Sequence, residues 1–353
     1  MAVHFSSEQM QQAARNHIRW WEGALDRPLM KVIIENAYDA PACSFPPLSQ
    51  KNCNDFSLSP EQVIEGIDAD LSRHEYLGDA FPMVNFDAFG PGVLAAFCGA
   101  KLDNSSGGVW FFPQKELPIE EIHAVYDPQN VYAMRIKDIY RAGLAKWQGN
   151  VMMSLPDLGG VMDTVATLRG TENLLMDLYD EPDEVIRLTA EVHQAWYEAY
   201  QDFMQVLAPQ RYNTNWDGLL SDTPSYIIQC DFSYMISNPM FRQFVLETLR
   251  TDTQRLDRTI YHLDGIGELN HLQDLLEIPE LNAVQWVFGD GKPDSNHWLD
   301  VYRRIMAAGK QWQLCGTPQA SLEVIRTLHG SPYASHILPA SQSALAVELL
   351  EAR

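Results

Sequence analysis

The sequence predicts an α/β protein with a single (β/α)8 barrel of the TIM type and an N-terminal helical extension. Eight short apolar runs of strand character alternate with helical segments, from "MKVIIEN" near the start to "SHILPA" near the end. Such alternation favours parallel strands surrounded by helices. No GxGxxG or GxxxxGK pattern supports a doubly wound nucleotide-binding sheet. We therefore expect the extension over residues 1–27 and one barrel over residues 28–353.

The first elements follow from apolar spacing and from helix-start signals. An amphipathic pattern over Ser7–Glu22 predicts a helix, and the β-branched run "RPLMKVIIENA" after it predicts a strand. The segment Tyr38–Ser57 is rich in Pro, Asn and Ser, which is typical of a loop. Ser59 then precedes Pro60, an N-cap followed by a proline at the first helical position, and a helix is expected from there.

The remaining elements repeat one scheme of strand, turn and helix. "FPMVNFDAFGPGVLAAFCGA" passes from a strand through a Gly-Pro-Gly turn into a helix, and "GNVMMSLPDLGG" is a strand and turn before helices, the last beginning near Glu181–Pro182. The strands "YIIQCDF", "TIYHLDG", "NAVQWVFGDG" and "KQWQLCGTP" follow. Helices are expected after them from about Pro239, Glu268, Trp298 and Ser321, and "SHILPA" leads to a last helix.

Charge and cysteine content exclude several classes of partner. There are 25 Lys and Arg against 47 Asp and Glu, a formal net charge of −22, which repels nucleic acid and anionic membrane surfaces. No signal peptide and no run near the roughly 18 apolar residues of a membrane span is found, so we expect a cytoplasmic protein. The five cysteines include no CxxC pair and are expected to be buried or free thiols.

Polar residues at predicted strand ends indicate where a site lies. Alternate strand residues face the same side, so His262 and Asp264 project together, as do Gln229 and Asp231. At the carboxyl end of a barrel strand these groups line the active site. His262 is a candidate metal ligand or proton donor, with Asp231 and Asp264 as further catalytic groups. The alternative is a His–Asp hydrogen bond that braces a loop.

Further candidates lie at the ends of other strands. Cys315 could complete a mixed N, O, S ligand set with His262 and Asp264, which zinc accepts, although a lone cysteine is also common as a small buried residue. Substrate contacts are expected from polar residues at strand ends, of which the three acids could equally cap the following helices. This set consists of Glu35, Asp87, Asp157, Gln229 and Gln285.

Three segments carry a resemblance to the uroporphyrinogen decarboxylase family. "YIIQCDFSYMISNPMFRQFVLETLR" resembles the family's barrel strand that ends in an aspartate and runs into a Ser-Pro-x-x-Phe helix. "YHLDGIGELNHL" lies where the family has a strand ending in His-x-Cys-Gly, and "SLPDLGGVMDTVATLRG" resembles its Gly-Pro-x-x-x turn. The family comprises tetrapyrrole decarboxylases and zinc-dependent corrinoid methyltransferases, and is related to cobalamin-independent methionine synthase. The resemblance implies the barrel fold.

The departures from that family favour one activity over another. The decarboxylases bind propionates with an Arg-rich segment at the first strand, where this chain has "VIIENAYDA". The methyltransferases hold zinc through His-x-Cys and a later Cys; here His262 matches, Asp264 replaces the first Cys, and "SHILPASQ" has none. The resemblance thus implies methyl transfer, with zinc at His262 and a corrinoid carried by a partner protein. Alternatives are a metal-independent decarboxylase of a tetrapyrrole or smaller acid, or a noncatalytic corrinoid- or porphyrin-binding barrel; the oligomeric state is not predicted.

Overall fold

The computed structural model describes residues 3–39 and 42–353. The strands are β1 Leu29–Glu35, β2 Glu75–Gly78, β3 Met83–Val84, β4 Lys101–Asp103, β5 Trp110–Phe112, β6 Met152–Met153, β7 Ser225–Gln229, β8 Arg258–Asp264, β9 Ala283–Val287, β10 Gln311–Leu314 and β11 Tyr333–Pro339. The helices are α1 Ser7–Trp21, α2 Pro60–Leu71, α3 Leu94–Phe97, α4 Val131–Trp147, α5 Val161–Arg169, α6 Thr171–Asp180, α7 Pro182–Leu207, α8 Asn238–Phe244, α9 Leu246–Arg255, α10 Leu272–Leu276, α11 Leu299–Ala307, α12 Pro318–Leu328 and α13 Ser343–Glu351.

The strands form a mixed α/β fold with a largely parallel sheet. Seven strands are ordered β2-β1-β11-β10-β9-β8-β7, and only β2 runs antiparallel to its neighbour β1. β3 and β6 make a separate parallel pair. The eight predicted barrel strands correspond to β1, β3, β6 and β7–β11, so the α/β class with parallel strands is confirmed. In the described part of the chain they do not form one continuous hydrogen-bonded ring, and closure into a barrel stays a prediction.

The two faces of the large sheet differ in chemistry. On one face of β8, Tyr261 and Leu263 are fully buried and pack into the main apolar core, as the alternation predicts. Trp286 and Leu314 occupy the same face of β9 and β10 and are also buried. Helices cover this face, so burial of its side chains drives folding. The opposite face carries the polar residues considered below.

Helix starts coincide with the capping residues of the sequence. At α2, the Ser59 hydroxyl accepts the Gln62 N–H and the Gln62 side chain accepts the Ser59 N–H, a complete capping box with Pro60 at the first helical position. α1 begins with the same arrangement at Ser6 and Gln9. α12 begins at Pro318, three residues before the expected Ser321, because Thr317 is the N-cap and Pro318 fits the first turn.

The N-terminal helix α1 packs into the core of the domain. Trp20 and Trp21 are buried, and their indole N–H groups donate to the carbonyls of Ser331 (2.9 Å) and Leu220 (3.1 Å). His17, fully buried, lies between the Asp79 carbonyl and the Leu220 N–H. The helix therefore belongs to the same apolar core, and the boundary between residues 27 and 28 stays a prediction.

Two features lie outside the repeating scheme. The antiparallel strand β2 borders β1, and a β4–β5 hairpin follows α3; neither has the long apolar run that marked the other strands. The expected loop over Tyr38–Ser57 contains no helix or strand among its described residues, while residues 40 and 41 lie outside them. Within the described ranges, no helix is both long and apolar enough to cross a lipid bilayer.

Candidate metal and substrate site

The candidate site lies where β7 and β8 end. Gln229 of β7 and His262 of β8 are register partners, and Gln285 of β9 lies opposite His262 on the other side. Gln313 of β10 continues this row. Partners in a parallel ladder project from the same face, so the four side chains form a polar row across the sheet. The residues two positions further along β7 and β8, Asp231 and Asp264, lie on the same face and are accessible to solvent.

Three predicted residues converge there. Asp231, directly after β7, lies with His262 and Asp264 so that one ligand atom of each is within 4.8 Å of the others. No hydrogen bond or ion pair joins the three, and neither carboxylate accepts a hydrogen bond from the described residues. Two carboxylates and an imidazole at this spacing match the nitrogen and oxygen ligands of a divalent metal. The structure thus contains a possible Asp–His–Asp metal site.

The row of amides fixes the orientation of His262. Its Nδ1 contacts the Gln285 Oε1, and the Gln285 Nε2 donates to the Gln313 Oε1 at 2.8 Å. The Gln285 Oε1 can only accept, so the His262 Nδ1 carries the proton and donates this hydrogen bond, which leaves the lone pair of the neutral ring on Nε2. Metal-binding histidines commonly donate their second N–H in this way. The Trp216 ring stands edge-on to the imidazole, with centroids 5.1 Å apart.

Two further carboxyls, from the half-buried Asp163 and the buried Glu268, hold the backbone of the site aspartates. The Asp163 carboxylate accepts the N–H groups of Asp231 (3.1 Å) and Phe232 (2.7 Å). Glu268 Oε2 accepts the Asp264 N–H at 3.2 Å, and Glu268 is fully buried. Each aspartate of the candidate metal site is thus anchored by a second acid. Gly160 makes this possible at α5, since a Cβ there would lie 2.2 Å from the Asp163 Oδ2.

The acids of the site repel one another, although a protonated His262 would favour the ionised form of Asp163. Burial, and then the charge of Asp264, raises the pKa of Asp231 to about 6. Burial and Asp231 raise the pKa of Asp163 to about 7, against the two N–H donors that lower it. Burial and Asp231 also raise the pKa of Glu268 to about 10. Burial lowers the pKa of His262, while its bond to Gln285 opposes this. A bound cation would relieve the repulsion.

The other predicted residues surround this centre at different distances. Cys315 is outside the Asp–His–Asp group, although burial and Asp264 raise its thiol pKa to about 12. Asp157 is buried and within the electrostatic reach of Asp231 and Asp87; burial raises its pKa to about 7. Glu35 is exposed at the end of β1. Their roles toward a substrate stay predictions.

Several residues of the site were not apparent from the sequence. Asp163 is in the first turn of α5, where an acid ordinarily indicates a helix start rather than a site. Glu268 marked the start of a helix, and it does begin a 3-10 turn, yet its side chain is buried. Trp216 belongs to the irregular segment before β7. An acid six residues after a strand-end Asp157 gives no periodic signal that could have placed it.

Comparisons with known proteins show the fold. No family model and no curated protein matches the sequence. Among solved structures, a methyltransferase from Methanosarcina mazei superposes with a TM-score of 0.57 over 96% of this chain and 96% of that chain. The two share their fold. Only 12% of residues are identical, so the likeness establishes the architecture and not the chemistry.

Proposed function

We propose that the chain is a methyltransferase whose Asp231, His262 and Asp264 hold a divalent metal ion, with zinc as the first candidate. The methyl donor we propose is a corrinoid carried by a partner protein, and the scaffold a closed (β/α)8 barrel. The observation that carries the proposal is the Asp–His–Asp cluster within 4.8 Å. The structural similarity of nearly the whole chain to a methyltransferase from Methanosarcina mazei supports the choice of reaction.

The residues present suit a metal ion. The carboxylates of Asp231 and Asp264 have no hydrogen-bond partner among the described residues and lie close to the His262 ring, whose orientation is set by Gln285. The negative charge of the carboxylates and the ligand atoms of all three residues favour a cation. Replacing thiolates with carboxylates makes the set harder than the family's His-x-Cys pattern, and zinc accepts both kinds of ligand. A divalent ion bound there would act as a Lewis acid and lower the pKa of an acceptor group.

The protein's own contribution to methyl transfer is binding and orientation. The amide row orients the His262 ring, and hydrogen bonds to Asp163 and Glu268 position the backbones of Asp231 and Asp264 before a substrate arrives. Tyr261 and Leu263 are buried on the opposite face of β8, where they anchor the strand in the apolar core. A methyl-corrinoid on the partner protein would supply the methyl group, and a metal ion held by Asp231, His262 and Asp264 would bind the acceptor and favour its deprotonated, nucleophilic form.

Metal analysis tests the proposal first. The purified full chain, prepared without chelator, is expected to contain about one zinc or other divalent ion per chain. His262→Ala should lose it, whereas His193→Ala, which removes a histidine paired with Asp252 on another face, should keep it. Methylcobalamin with a thiol or amine acceptor should then be demethylated only by the metal-containing form. A folded wild-type protein without metal would contradict the proposal.

A metal-independent decarboxylase is the second candidate. Its support is that the pKa values of Asp231 and Asp157 are raised to about 6 and about 7, so either carboxyl could deliver a proton near neutral pH. Carbon dioxide release from a carboxylic acid that a chelator leaves unchanged would favour it. If removal of the metal abolishes all activity, methyl transfer is favoured instead.

A further inference from the structure

The face of the large sheet that carries His262 and Gln285 is termed the open face. The ends of four strands bring acidic residues to one side of it. Asp87 follows β3, Asp157 follows β6, Asp231 follows β7 and Asp264 ends β8. Asp157 is within the electrostatic reach of both Asp87 and Asp231. A divalent ion at the proposed metal site would use Asp231 and Asp264. It would leave Asp87 and Asp157 for another partner.

No basic side chain neutralises this second pair. The large sheet carries two basic residues other than histidine in its described strands, Lys31 and Arg258. Lys31 donates to the Gly218 carbonyl at 2.8 Å, and Arg258 pairs with Asp222 near the start of β8. The Asp87 carboxylate accepts no hydrogen bond from the described residues, and burial raises its pKa. Asp157 is buried, and its Oδ1 accepts the Gly159 N–H at 2.9 Å. Neither acid therefore has a protein cation as a partner, and the other oxygen of Asp157 accepts no hydrogen bond from the described residues.

A separate observation points to a hydrogen-bond donor from outside the protein. Gln229 is 7% exposed, and its Oε1 has no hydrogen-bond partner among the described residues. It projects from the same face as His262, its register partner. A buried amide oxygen left unpaired costs roughly 1–3 kcal/mol, which a ligand N–H would recover. The Gln229 Oε1 and the Asp87 carboxylate are thus two oxygen acceptors that a ligand N–H could reach.

The far side of the same face offers an aliphatic contact. Ile33 and Ile337 are register partners on β1 and β11, and Ile337 is 61% exposed although it lies within a strand. The same face of β1 also carries Lys31, which is bonded to the Gly218 carbonyl, and the exposed Glu35 at the end of the strand. The aliphatic contact is therefore limited to the two isoleucines, and acids lie on both sides of them. A small ligand with a charged end and alkyl groups would match both sides.

We infer that this face binds, beside the metal ion, a ligand with a protonated alkylated nitrogen, which Asp87, Asp157 and the Gln229 amide oxygen receive. The inference rests on the proposed function, because it assigns Asp231 and Asp264 to the metal. It names alkylamines as the ligand class of the same site. The protonated nitrogen has no lone pair, so an alkylamine could accept a methyl group only after its N–H proton has passed to Asp87 or Asp157. Polycarboxylates such as tetrapyrrole acids, and sulfonate or phosphate ligands, would meet only like charge from these acids.

A pair of isosteric probes isolates the charge. Protonated dimethylethanolamine and isoamyl alcohol have the same shape, with N–H replaced by C–H, and isovalerate is a similarly branched anion. Binding of each to the zinc-loaded full chain can be measured by ligand-observed NMR. The ammonium is expected to bind about tenfold or more tightly than the alcohol, since a charged hydrogen bond and an opposite charge each contribute on that scale.

Variants assign the effect to residues. Asp157→Asn and Asp87→Asn should each weaken ammonium binding about tenfold and leave alcohol binding unchanged. Gln229→Leu should weaken ammonium binding, and Gln229→Glu should restore it. Glu172→Gln is the matched control, because Glu172 is exposed on α6, which takes no part in the site.

The outcomes separate this inference from the proposed function. Equal binding of ammonium and alcohol, or unchanged ammonium binding in both Asp87→Asn and Asp157→Asn, would overturn the inference. Zinc content is measured on every sample. A wild-type sample that holds zinc and shows no preference for the ammonium refutes the alkylamine ligand alone, whereas a folded sample that never holds zinc refutes the metal site.

Discussion

Gln285 offers the sharpest test of how the site is organised. It is 4% exposed and has two side-chain partners, the His262 Nδ1 and the Gln313 Oε1. Gln285→Leu keeps the approximate volume and removes both. The His262 proton can then move to Nε2, the nitrogen needed for the metal, and the ring loses its orientation. Losing such an outer partner weakens metal binding by about 10–100-fold, or roughly 1.4–2.8 kcal/mol.

The same substitution also affects the stability of the metal-free protein. It leaves the His262 N–H and the Gln313 carbonyl without partners in a buried row, at a cost of roughly 1–3 kcal/mol for each unsatisfied group. Zinc affinity, measured by competition with a fluorescent chelator, and urea unfolding of metal-free samples separate the two effects. Gln285→Glu is the matched variant. Its carboxylate still accepts the hydrogen bond from the His262 Nδ1–H, so the Nε2 lone pair and zinc binding should be preserved.

The pattern across the two variants decides whether the reasoning holds. Weak zinc binding in Gln285→Leu with wild-type binding in Gln285→Glu supports control of the histidine tautomer. If both variants bind zinc as the wild type does, the amide row has no part in metal binding and the reasoning is refuted. The nitrogen signals of His262, observed by NMR in the metal-free protein, report the tautomer directly.

Three other predictions concern the support of the site and the fold. In the metal-free protein, Glu268→Gln should have the same free energy of unfolding in urea as the wild type at pH 5 and a higher one at pH 9. Burial raises the pKa of Glu268 to about 10 in the folded state, far above that of a Glu in the unfolded chain, so the stability of the wild type falls as the pH rises between these two values. The control Glu172→Gln should show no such gain at pH 9. Gly160→Ala places a Cβ 2.2 Å from the Asp163 carboxylate and should cost about 1–3 kcal/mol of unfolding free energy together with zinc affinity; unchanged values would contradict the anchoring role. Ser59→Ala removes the capping box of α2 and should cost about 1 kcal/mol by thermal unfolding, more than Ser59→Gly.

The sequence was most informative where a periodic pattern coincided with an apolar run. In β8, the alternation of Tyr261 and Leu263 with His262 and Asp264 predicted which pair is buried and which pair faces the site, and the structure agrees. Capping signals did the same for α2. These features depend on residues close in sequence, whose geometry is fixed by local backbone structure.

The rest of the site depends on contacts between distant segments. Asp163 meets Asp231 across 68 residues, and Gln313 joins Gln285 across 28 residues, only once β9 and β10 are aligned. The prediction placed Cys315 with His262 and Asp264, whereas the close third member of that group is Asp231. The position of a residue at a strand end predicts at which end of the sheet it lies. The twist and register of the strands then decide which of the residues at that end come within bonding distance.

The division of the sheet into a packed face and a polar face has a consequence for mutational tolerance along β8. Substitutions at Tyr261 and Leu263 should lower the amount of folded protein in a cell, because they create cavities in the core. Substitutions at Asp264, whose carboxylate accepts no hydrogen bond from the described residues, should leave abundance nearly intact and lower metal retention. Substitutions at His262 should lower metal retention as well, and should lower abundance only through the lost bond to Gln285. A saturation screen read once for abundance and once for metal retention would show two alternating profiles along this strand, offset by one residue.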